Sequence, residues 1–174
     1  MKTSQAIVGL LIMAFIAGGL FMFPNYGADN VNQPVSVYYG QEKSLGELEV
    51  PIIGMGTRNV GTLHIELVHD PEVLRVTTVE EGSLTGNASM QYSAEIPGRV
   101  IVGIVDTEGI NGQGTLAVVR FDILEEADIT VPLILENVKV WDTLNVSRIL
   151  PTSMEGSFRL SDRSLAPPML VFPQ

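Results

Sequence analysis

Residues 61–84 read GTLHIELVHDPEVLRVTTVEEGSL, and their opening alternation decides the fold. Leu63, Ile65 and Leu67 fall on one side of an extended chain, and Thr62, His64 and Glu66 on the other. This period of two belongs to a strand with one face in a core and one toward solvent or a partner. The run halts at Asp70 and Pro71, a turn pair, resumes as Leu74 to Val79 and stops at Gly82. Farther along, Val100, Val102 and Ile104 point inward while Arg99, Ile101 and Gly103 point out. Then Ala117, Val119, Phe121 and Ile123 oppose Val118, Arg120 and Asp122. Further strands are expected at residues 35–39, 46–53, 89–94, 129–135, 137–141, 147–150 and 156–160. Pro97 with Gly98 reads as a turn, and Asn111-Gly112-Gln113-Gly114 as a loop needing positive φ. From Val35 onward no long window carries the 3.6-residue period of an amphipathic helix. The body is therefore all-β, and so many short strands pack most naturally as a two-sheet sandwich.

The start of the chain is different. Ala6 to Phe23 reads AIVGLLIMAFIAGGLFMF, without a charge and preceded only by Lys2. As a helix it would be about 27 Å long, close to the ~30 Å hydrocarbon core of a bilayer. Residues 1–28 are read as either a transmembrane signal anchor or a cleaved signal peptide, with the rest of the chain exported in both cases. Residues 29–34 form a linker, 35–162 the sandwich, and 163–174 a tail containing Pro167, Pro168 and Pro173. The prolines keep that tail out of the middle of a ladder, and its Met169-Leu170-Val171-Phe172 cluster is expected to dock on the body.

Composition narrows the function. The chain has 174 residues, 10 Lys plus Arg, 20 Asp plus Glu, a net charge of −10 and no cysteine. Residues 1–28 hold one base and no acid, so the exported part carries −11. Such a surface does not attract a phosphate backbone, which excludes nucleic acid as the partner. The lack of cysteine excludes disulfides, thiolate metal sites and cysteine nucleophiles. Enzyme signatures are missing too: there is no HExxH, no GxSxG and no GxGxxG following a strand. His64 and His69 lie five positions apart on or beside one strand and cannot form a helical metal pair. Glu80 with Glu81 and Glu125 with Glu126 are sequence neighbours, which point apart on a strand and so make poor catalytic pairs. Asp106, Glu108 and Asn111 supply too few oxygens for calcium, and no metal or other cofactor is expected. Trp141 and Tyr92 are the aromatics able to stack on a sugar, but no strand carries two outward aromatics at alternate positions. Asn87-Ala88-Ser89 and Asn145-Val146-Ser147 match the N-glycosylation acceptor pattern.

Two longer segments carry a family resemblance. GTLHIELVHDPEVLRVTTVEEGSL, residues 61–84, has a strand, an Asp-Pro-x-x-Leu turn, a second strand and a Gly ending. GRVIVGIVDTEGINGQGTLAVVRF, residues 98–121, has a Gly-Arg-Val strand, a Gly-rich loop and a Gly-x-Leu-Ala strand. With VPLILENVKVWD (131–142) and MEGSFRL (154–160) in the same order, the chain resembles a cohesin module over residues 35–160. The resemblance implies a jelly-roll sandwich of about nine strands with no catalytic activity. It also implies a flat sheet face that receives a dockerin, a small calcium-loaded helical module attached to glycan-degrading enzymes. Matched residue by residue, that face would consist of Thr62, His64, Glu66, Arg99, Ile101, Val118 and Arg120, with Glu108 in the adjoining loop. Dockerin-binding cohesins of the best-known type carry Asn and Asp where Thr62 and His64 align, so the partner is open at this point. A polysaccharide bound directly and a structural role at the cell surface are the other readings.

Overall fold

A computed structural model describes residues 44–144 and 147–173. The expected N-terminal helix, the linker, the strand at residues 35–39 and the Asn145 acceptor lie outside the described residues. Among the described residues the chain is all-β, in ten strands: β1 (Gly46–Val68), β2 (Leu74–Glu81), β3 (Ser89–Ser93), β4 (Arg99–Ile123), β5 (Thr130–Asp142), β6 (Arg148–Ile149), β7 (Thr152–Met154), β8 (Gly156–Arg159), β9 (Ser164–Ala166) and β10 (Met169–Val171). No described helix is long and apolar enough to cross a membrane.

Three expected pairs of strands are single long ones. Residues 46–53 and 62–67 both belong to β1, those around 100 and 120 to β4, and 130–135 and 137–141 to β5. At about 3.3 Å per residue, the 23 residues of β1 would reach roughly 75 Å if straight. A compact body of some 130 residues has a radius of gyration of only about 14 Å, so β1 and β4 must bend. They bend together: their antiparallel register shifts repeatedly between Ile52 and Thr62. Asn59 (φ 51°), Gly56 (φ 72°), Gly109 (φ 88°) and Gly112 (φ 109°) take up the curvature. The Asn111 to Gly114 segment, expected as a loop, is thus a bulged stretch inside β4.

The bend turns one continuous ladder into two layers. The first runs β3, residues 99–105 of β4, 62–68 of β1, 134–142 of β5, then β6. The second runs β2, residues 115–123 of β4, 46–54 of β1, β10, then β7. β8 and β9 extend the start of β5. Val50 and Ile52 from one half of β1 and Leu63, Ile65 and Leu67 from the other lie in one buried cluster with Val102, Ile104, Val119 and Phe121. The layers therefore share a core, and the residues facing away from it form two separate outer faces.

The tail corrects the expectation that its prolines bar it from a ladder. β10 lies parallel to Ile53–Met55 of β1 and antiparallel to β7, so it sits between two strands. Pro167, Pro168 and Pro173 bracket the three paired residues rather than interrupting them, so no ladder donor is lost. Leu170 and Phe172 are buried in the common core. The turn from β2 to β3 is equally fixed. Thr85 is buried, its hydroxyl donates to the Leu116 carbonyl at 2.7 Å and accepts from the Gly82 N–H at 2.9 Å. A Cβ on Gly82 would lie 2.1 Å from the Thr115 oxygen, so only glycine fits there.

Candidate binding faces

The first outer face gathers Thr62, His64 and Glu66 from β1 and Arg99, Ile101, Gly103 and Val105 from β4. Register fixes their neighbours, because directly paired residues share a side. Val105, Thr62 and Trp141 form one row, Gly103, His64 and Lys139 the next, and Ile101, Glu66 and Glu136 the third. On β5 the register slips between the second and third rows, where Asn137 adopts a φ of 48°. This bulge lays an extra polar side chain on the face.

Glu66 is the hub. Its carboxylate accepts hydrogen bonds from the Arg99 guanidinium and from Asn137 Nδ2 at 3.1 Å, and lies 3.4 Å from His64 Nε2. The same Arg99 donates to Glu136 at 3.1 Å. The Glu66 side chain is only 14% exposed, whereas Asn137 and Glu136 at the edge of the network are exposed. The Asn137 amide, followed by Arg99 and His64, holds the Glu66 carboxyl below its ordinary range, against the opposing effect of desolvation. Its two carboxylate partners hold the Arg99 guanidinium more firmly protonated. At the other end of the face Val105 is 48% exposed and Trp141 is half-buried, so the charged network grades into an apolar row.

Val118 and Arg120 do not join this group. They belong to the second layer, where they pair with Pro51 and Glu49 on β1 and with Glu80 and Thr78 on β2. Arg120 donates to Glu80 at 2.8 Å and also to Glu49, and Arg75 donates to Asp122 at 2.8 Å. The Glu80 carboxylate, above all, holds Arg120 protonated, and Arg75 lowers the Asp122 carboxyl. A single face holding all seven expected strand residues is therefore corrected: both groups point away from the core, but on opposite layers. Glu108 is exposed in the bulged part of β4, where its N–H bonds Asp106 Oδ1 at 2.8 Å. Asp106 also accepts from the Gly109 N–H, which makes this loop a backbone-capped turn.

Sequence reading missed Val105, Glu136, Asn137, Lys139 and Trp141 on the first face. The signal that would have found them is the pairing of β5 with β1, which alternation within one strand does not reveal. Trp141 and Tyr92 do not make a sugar platform. Tyr92 pairs with the buried Val102, while Trp141 shares the opposite side with Thr62. Among the described residues no group of three or more His, Cys, Asp or Glu side chains is arranged to hold a metal ion.

Comparison with known proteins agrees with this architecture. The family model described as "Cohesin domain" matches residues 44–159. A non-cellulosomal cohesin from the archaeon Archaeoglobus fulgidus superposes with a TM-score of 0.52 at 25% identity, covering 72% of this chain and 79% of that one. The sixth cohesin of scaffoldin B from Acetivibrio cellulolyticus, solved in complex with a Cel5 dockerin, gives 0.51 at 15% identity over 74% and 89%. CaCohA2 from Clostridium acetobutylicum gives 0.51 at 18% over 72% and 81%. No curated protein sequence matches.

Proposed function

Because the chain belongs to the cohesin family, we propose that it is a non-catalytic binding module of jelly-roll sandwich type whose first outer face docks a dockerin-like protein module. Cohesins of the same fold have been solved with dockerins bound, which gives the reading its partner class. The observation that carries it to this face is the Glu66 hub. Four side chains from three strands are already fixed in one another's hydrogen-bonding geometry, beside an apolar row of Val105 and Trp141. A pre-ordered polar cluster next to apolar area is the mixed surface that protein interfaces use, and pre-ordering lowers the entropy lost on docking. The binding residues on this reading are Thr62, His64, Glu66, Arg99 and Ile101, joined by Val105, Lys139 and Trp141. Glu108 flanks them, and Val118 and Arg120 take no part. The uncharged run at residues 6–23 fits a place on the outer side of the cell membrane, anchored or released.

Isothermal titration of the full chain with calcium-loaded dockerin-like modules from the same organism tests this. Saturable one-to-one binding that Glu66→Ala weakens about tenfold or more, in the range of an interface hot spot, is the expected result. The reading fails if none of these modules binds, or if Arg120→Ala weakens binding as much as Glu66→Ala does.

A further inference from the structure

We propose that Asn87 is an N-glycosylation site whose oligosaccharide stands at the rim of the first outer face. The triplet Asn87-Ala88-Ser89 supplies the acceptor carboxamide and the hydroxyl two residues on. The structure places it on the turn between β2 and β3, with Asn87 and Ser89 exposed and Ala88 buried beneath them. Hydrogen bonds from the Ala88 N–H to the Thr85 carbonyl at 2.9 Å and from the Thr85 N–H to the Gly82 carbonyl at 3.1 Å hold that turn. A Cβ built on Gly86 meets nothing within 4 Å, so the space beside the acceptor is open.

Two independent features suit a sugar at this position. Asn87 borders a cleft of about 510 Å³ that Ser83, Asp106, Glu108 and Asn111 also line. Hydroxyl, carboxylate and amide groups are hydrogen-bonding partners for sugar hydroxyls, and the volume is within the range of small-molecule sites. The second feature is the edge strand. Among the described residues β3 pairs only with β4, and its sequence, SMQYS, has none of the charges or prolines that blunt an open edge. A bulky hydrophilic group two residues before that strand does so instead. Because Ser89 pairs with Val105, the same group bounds the apolar end of the first face.

In the reaction, Asn87 Nδ2 attacks C1 of the first sugar of a polyprenyl-phosphate-linked oligosaccharide. The C1–N bond forms, the C1–O bond to phosphate breaks, the lipid phosphate leaves with the bonding pair and one amide proton passes to base. Such donors act on exported chains, so the site rests on the export reading. The test takes the full chain from its own organism, fractionates the cells, and measures intact mass and the peptides spanning residue 87. The expected result is an oligosaccharide mass on the Asn87 peptide of the exported chain, lost in Asn87→Gln and Ser89→Ala and kept in Ser89→Thr. Exported chain with unmodified Asn87 overturns the site alone. Chain recovered only inside the cell overturns the export reading and the site with it.

Discussion

β1 and β4 build both outer faces, yet the two faces handle charge differently. On the first, Glu66 is 14% exposed and is held by Arg99, Asn137 and His64 together. On the second, Arg120 reaches two carboxylates, Glu49 and Glu80, that are 58% and 50% exposed. The difference arises from the neighbours rather than from the shared strands. Against the first half-pair lies β5, whose Asn137 bulge adds an uncharged donor to the Glu66 carboxylate. Against the second lies β2, which among the described residues pairs only with β4 and leaves Glu80 half exposed. Exposed pairs are weakened by solvent and by salt, whereas a network screened by its own side chains keeps its geometry. One face thus holds a linked polar network, and the other holds separate, more exposed ion pairs.

The largest predicted effect removes the comparison altogether. Ile65 is fully buried beneath the first face, in the cluster shared with the second. Ile65→Ala should cost about 2–5 kcal/mol, measured by urea unfolding, with near-ultraviolet signals from the two layers lost in one transition. Two separate transitions would mean that the layers do not share a core. Next comes the sharpest contrast between the faces. Glu66→Gln removes the charge that Arg99 needs and should weaken partner binding about tenfold, while Arg120→Gln leaves affinity within about twofold, outside the hot-spot range. Equal losses would show that the partner reads both faces. A smaller effect follows from screening. Raising salt from low to about 1 M, where the Debye length is ~3 Å, should erase any stability difference between wild type and Arg120→Gln while preserving that of Glu66→Gln.

Alternation made Thr62, His64, Glu66, Arg99 and Ile101 legible as one outward set, because a period of two reports which side of a strand a residue occupies. It does not report which layer the strand segment belongs to, so it cannot separate from them Val118 and Arg120, which the family resemblance places on the same face. The layer is decided by the bend between Ile52 and Thr62, which the sequence marks only by a scatter of Gly54, Gly56, Asn59 and Gly61. Asn137 was harder still. Its left-handed backbone breaks the alternation of β5 at the place where its side chain reaches Glu66, so the pattern reads as two strands with a gap. The tail is legible in its apolar cluster but not in its pairing, since its parallel partner Ile53–Met55 lies far from it in sequence and its other partner, Thr152–Met154, is a three-residue strand with no alternation to mark it.

The smallest predicted effect concerns acid, and it separates the faces from the joint between them. His69 follows β1, is buried, and packs its ring edge-on against Phe121 with centroids 4.9 Å apart. Its Nδ1 has no hydrogen-bond partner among the described residues. Desolvation lowers its pKa below the usual 6.5, and the Asp70 charge and a backbone bond to Leu74 only partly oppose it. The unfolded chain therefore binds this proton more readily than the folded one, so stability falls as the pH drops below about 6.5 and levels off below the lowered value. Glu66 and Asp122 behave differently. Their folded carboxyls are shifted down, so what they contribute is present above the ordinary carboxylate range and is lost only as the pH falls through the lowered values. Acid should thus loosen the shared core first and dissolve the ion networks of the two faces afterwards. Thermal unfolding of wild type and His69→Gln across pH 7.5 to 5 measures the first stage. The variant should lose the slope in that interval, and an unchanged slope would place the titrating group elsewhere than in the joint beneath both faces.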